Sequence, residues 1–98
     1  MLSSATEAIS ELQRRLAEGL ARIDPHHRLL GRPVTYRVVD SQAVEITFRD
    51  VAGIADAEIM GVKRILGQDC SCSVSPQTAE QVTVRFVVYF AATRDTTS

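Results

Sequence analysis

The spacing of apolar residues along this chain changes in a fixed order, one helical stretch followed by two strand-like ones, and it does so twice. Ile9, Leu12, Leu16, Leu20 and Ile23 recur at helical spacing, with Ala5 and Ala8 extending the stripe. Val34, Tyr36 and Val38 then alternate with polar neighbours, as do Val44, Ile46 and Phe48 beyond the turn-like Asp40-Ser41-Gln42. The second round opens with Ile54, Ala57, Ile59, Gly61, Val62, Ile65 and Leu66 on one helical face. Cys70, Cys72 and Val74 follow at period two, interleaved with Ser71, Ser73 and Ser75, and Val82, Val84, Phe86, Val88 and Phe90 close the series. Each helix has one apolar stripe and each strand one apolar face. Two helices on one side of a four-stranded antiparallel sheet bury all of them in a single core. The pattern predicts an α+β fold, an αββαββ two-layer sandwich.

The punctuation residues set the expected boundaries. Ser4 and Glu7 have capping-box spacing and start a helix over about 4–23. Asp24-Pro25 ends it, and Pro25 to Gly31 has the makings of a short extra turn, with Asp24 as its cap. A hairpin is predicted over about 34–49 and a second helix over about 51–66, capped by Asp50 and stopped by Gly67. A second hairpin runs over about 70–90, and the polar tail from 93 to 98 is expected to be flexible. Gly19 and Gly61 lie inside helices, where glycine costs about 1 kcal/mol relative to alanine, which points to close packing at both positions. Glu11–Arg15 and Glu18–Arg22 are i,i+4 pairs in the favourable order, worth about 0.2–0.5 kcal/mol each.

Moving the last strand to the front gives the βαββαβ order, so the fold resembles a circularly permuted ferredoxin-like fold. That resemblance implies the strand order 3-4-2-1, with the long apolar fourth strand in the interior.

Composition narrows the function classes. With 98 residues the chain is one domain, and 45% hydrophobic against 23% charged residues is ordinary for a globular protein. Eleven basic residues against twelve acidic ones give a net charge of -1, which removes the generic argument for binding nucleic acid or an anionic membrane. No apolar run approaches the roughly 18 residues of a membrane span. Met1-Leu2-Ser3-Ser4 has neither a basic nor an apolar leader region, so no secretory signal is expected. Cys70 and Cys72 are too close along a strand to bridge each other, and a cytoplasmic or other reducing setting is the simplest reading. Shared with Val74 on one strand face, they read as buried thiols, and no metal site or cofactor is expected.

The sheet face away from the helices is where a partner or ligand is expected. Its outward positions are Thr35, Arg37 and Val39; Glu45, Thr47 and Arg49; Ser71, Ser73 and Ser75; and Thr83, Arg85, Val87 and Tyr89. Arg37, Arg49, Arg85 and Tyr89 make it a candidate platform for a small anion, a ligand or a nucleic acid. RNA-recognition sheets need two or three stacking aromatics, and only Tyr89 qualifies here, while Glu45 repels phosphate. The same face, or strand one as an edge with Arg37 as a weak guard, also suits a second copy of the chain.

His26 and His27 are the candidate catalytic acid and base. Tandem histidines ahead of a hairpin resemble those of the pterin carbinolamine dehydratases, but Arg28 stands where that family has proline and Phe48 where it has a further histidine. Phosphate-loop and nucleophile-elbow patterns are absent from the sequence. The sequence therefore favours a non-enzymatic, self-associating interaction or assembly module, a homo-oligomer or a subunit of a larger protein assembly. The alternatives are an anion-, ligand- or nucleic-acid-binding domain and a small enzyme built on His26 and His27.

Overall fold

The computed structural model describes residues 5–40, 42–67 and 69–89. In chain order the elements are α1 (Ala5–Ile23), β1 (Val34–Asp40), β2 (Ala43–Val51), α2 (Asp56–Leu66), β3 (Asp69–Pro76) and β4 (Val82–Tyr89). All neighbouring strands are antiparallel, in the order β1-β2-β4-β3. This is the expected α+β arrangement, with the expected strand order read from the other edge. The Ser4–Glu7 capping box and the tail from 93 lie outside what is described.

The core forms where both sides of the apolar alternation find a partner. Ala8, Leu12, Leu16 and Leu20 of α1 and Val62 and Leu66 of α2 pack on Val44, Ile46, Phe48 and Val51 of β2 and Val84, Phe86 and Val88 of β4. Phe48 and Phe86 meet edge to face at 6.1 Å between ring centres, a favoured aromatic geometry. On the helix side, Val44 to Val51 of β2 and Val84 to Val88 of β4 are thus covered. The edge strands are not: on the helix side Val34 and Val38 of β1 remain 37% and 42% exposed, and Val74 of β3 45%. Two helices do not span four strands, so apolar residues of the edge strands overhang the core.

The helices approach through their glycines. A Cβ on Gly19 would lie 3.0–3.1 Å from three side-chain carbons of Ile65, and one on Gly61 would lie 2.8 Å from Ile23 Cδ1. Each helix therefore receives an isoleucine of the other where it has no side chain. Arg15 ties the pair at one end, bonding Glu11 at 2.9 Å and donating to the Leu66 carbonyl at the open C-terminus of α2. Gly67 adopts the left-handed conformation (φ 68°) and donates to Lys63 O, closing α2 as expected. Glu18 meets Arg14 at 3.0 Å, so the pair expected with Arg22 is replaced by one a turn earlier.

The second helix starts five residues later than the sequence suggests. Asp50 does not cap it; at φ 60° it sits in a bulge of β2, where the register with β4 shifts between Phe48 and Val51. Gln77 holds that bulge, accepting the Asp50 N–H at 2.9 Å and the Thr83 hydroxyl at 3.0 Å and donating back to the Asp50 carboxylate. Val51 is thereby returned to the sheet opposite Val82, fully buried, and the strand outlasts the expected hairpin. The N-cap of α2 is Ala55, which has no capping side chain; Glu58 in the first turn accepts its N–H at 2.9 Å instead.

Candidate functional site

The open sheet face is organised around one carboxylate. Register pairs Arg37 with Glu45 and Glu45 with Val87, while Arg85 stands one step along, opposite Thr47 and Ser73. Glu45 Oε1 accepts from Arg37 Nε at 3.0 Å, and Glu45 Oε2 lies 3.2 Å from Arg85 Nε. The second contact is an ion pair without hydrogen-bond alignment, and Arg85 Nε is buried with no other partner. Two of the expected platform arginines are therefore spent on Glu45 within the sheet. Arg49 lies at one end of β2 and Tyr89, opposite Ala43, at the other, about 20 Å apart at strand rise. The structure brings Arg37 and Arg85 together and leaves Arg49 and Tyr89 apart.

What stays exposed near Tyr89 is largely apolar. Tyr89 is 49% and Val39 47% exposed, and both flank the buried Ala43, with Val87 half-buried beside them. Along the neighbouring edge come Val34 and Val38. Val34 and Val38 read as ordinary core positions in the sequence, since alternation says which way a residue faces and not whether a helix reaches over it.

The histidines separate. His26 is exposed, with its backbone N–H on Asp24 Oδ1 at 2.8 Å. His27 is 4% exposed; its Nδ1 accepts from Leu29 N–H and its Nε2 lies 3.2 Å from the Glu58 carbonyl. The neutral tautomer with the proton on Nε2 satisfies both contacts. His27 thus fastens the turn after α1 to α2, and its ring nitrogens are both engaged. Successive i→i+3 turns fill this segment, ending at Gly31 with φ 75°, without forming a helix.

Glu58 reinforces the same junction. Burial alone would raise its pKa, but N–H bonds from Ala55 and Arg28 and the nearby Arg28 guanidinium outweigh it and hold the carboxyl below its ordinary value. Cys70 and Cys72 lie half-buried on the helix side of β3; burial pushes the Cys70 thiol up to about 11 and raises Cys72 as well. Neutral thiols are poor metal ligands and nucleophiles. Among the described residues no three His, Cys, Asp or Glu side chains cluster as a metal site.

An open groove of about 790 Å³ runs between the outer faces of α1 and α2 over Gly19 and Gly61. Its walls carry Arg15, Arg22 and Arg64 against Glu18, Asp24 and Glu58, so no charge preference singles out a ligand. No described helix is long and apolar enough to cross a membrane.

Fold and surface together define a two-layer α+β domain with an uncovered sheet face and no assembled catalytic cluster among the described residues. Against known proteins, the chain matches no family model, no curated protein and no solved structure.

Proposed function

We propose that this chain is a small self-associating interaction module that joins copies of itself through its open sheet face or an edge strand. One observation carries the reading: exposed apolar residues gather on the sheet, Val39 and Tyr89 on the open face and Val34 and Val38 along the β1 edge, while Glu45 engages both Arg37 and Arg85. Burying these apolar residues gains about 25 cal/mol per Å² of apolar area. An anion or nucleic acid would have to compete with Glu45 for both guanidiniums. The anion-binding reading rests instead on Arg49, an exposed side chain without an ion-pair partner among the described residues.

Solution mass by light scattering, at low and high salt, tests the proposal. An apolar self-interface gives a multiple of the 10.8 kDa chain mass at both salts. A monomer at every concentration and salt overturns it. Binding of oligonucleotide or phosphate that weakens steeply with salt would support the anion reading in its place.

A further inference from the structure

Resting on the self-association reading, we infer that the contact is the free edge of β1 paired antiparallel with β1 of a second copy, Tyr36 opposite Tyr36, to give a continuous eight-stranded sheet. Three observations select this edge and this register.

The first is the direction of the backbone. Arg49 N–H donates to Pro33 O at 2.9 Å, in register with the β1–β2 ladder. In an antiparallel ladder the bonded positions alternate, so Thr35 and Arg37 turn their N–H and carbonyl groups, and Pro33 its carbonyl, to β2. Residues 34, 36 and 38 then turn theirs outward, and among the described residues β1 has no neighbouring strand on that side. With Tyr36 opposite Tyr36, Val34 falls opposite Val38 of the second copy, and all these positions are ones with outward groups. About six main-chain hydrogen bonds form without disturbing β2.

The second is side-chain complementarity. This register sets the overhanging Val34 and Val38 side by side on the helix side, covering apolar surface that α1 leaves exposed. On the open face it sets Thr35 opposite Arg37. Shifting by one bonded position one way puts Arg37 opposite Arg37, a like-charge pair, and the other way parts the two valines, with Val38 opposite Arg32. The chosen register also brings Arg32 level with Asp40 of the second copy.

The third is the missing guard. Edge strands are commonly protected by a charge at the edge. Arg37 is the charged residue in the middle of β1, and its guanidinium is drawn back over β2 to Glu45. The other edge, β3, presents serines on its open face and ends in Pro76.

The test uses the full chain. Val38→Lys places a charge on the free edge at an already exposed position, and its mass should fall to that of one chain with an unchanged circular dichroism spectrum. In a Cys70→Ser, Cys72→Ser background, Thr35→Cys with Arg37→Cys should give a covalent dimer on oxidation, since facing non-bonded positions lie about 4.5 Å apart at Cα. Arg37→Cys alone should not cross-link. A dimer that persists in Val38→Lys, with no cross-link in the paired-cysteine variant, overturns the edge contact and leaves self-association standing. Cross-linking by Arg37→Cys alone overturns the register. A native chain that is monomeric throughout overturns both readings.

Discussion

Ile65 of α2 rests on Gly19 of α1, with three of its side-chain carbons 3.0–3.1 Å from where a Cβ would stand. The converse contact, Ile23 on Gly61, is closer at 2.8 Å but involves only the tip of a half-exposed side chain. The two glycines are therefore not equivalent. Gly61→Ala gains about 1 kcal/mol of helix propensity and needs only a rotation of Ile23, so its stability should be unchanged or slightly higher. Gly19→Ala gains the same but must push a whole isoleucine back, at about 1–3 kcal/mol, and should be destabilised. Urea unfolding compares them, and Ile65→Val should restore part of the Gly19→Ala loss. Equal behaviour of the two alanine variants would refute the difference.

Glu45 holds two arginines, so Glu45→Gln removes the negative charge that attracts both. Both guanidiniums are substantially exposed, which limits the stability loss to about 1 kcal/mol. The larger effect should be on ligand preference: with Arg37 and Arg85 released, affinity for a polyanion such as heparin should rise at low salt and fade above about 0.15 M. Unchanged polyanion binding, measured by salt elution, would show that Glu45 is not what occupies this face.

The Cys70 thiol, pushed up to about 11 from 9.0, should resist alkylation. In a Cys72→Ser background at pH 8.5, Cys70 of the folded chain should react about two orders of magnitude more slowly than in the unfolded one. The folded-state value lies above the unfolded one, so burial of this thiol stabilises the fold fully below about pH 9. That contribution is lost as the pH rises through 11. Rapid alkylation of that folded variant at pH 8.5 would contradict the burial.

Glu58 accepts the N-cap amide of α2 and the Arg28 amide at 3.1 Å. Glu58→Gln should cost about 1 kcal/mol at pH 7. Its carboxyl is held low in the folded chain, so the contribution is present above 4.5 and disappears as the pH falls through the folded-state value. Unfolding free energies of the two chains should thus converge in acid. A constant gap between pH 7 and pH 3 would assign the loss to packing instead.

Much of this architecture was legible because it depends on local rules. The apolar period names helix or strand, turn residues delimit them, and six one-sided elements leave one economical stacking. The late start of α2 was not legible, because the bulge at Asp50 is held by Gln77, 27 residues away. Nor was the division of labour between the histidines, which follows from Glu58 and Leu29 meeting the His27 ring.

The candidate surface divides in the same way. Alternation alone assigned Arg37, Glu45, Arg85 and Tyr89 to the open face, since a strand residue's side is fixed by its parity. That Glu45 takes up two arginines required the pairing of β1, β2 and β4, because ion pairs across strands depend on register. That Val34 and Val38 overhang the core required the footprint of α1, because burial is set by what lies above a residue and not by the residue's own neighbours in the chain.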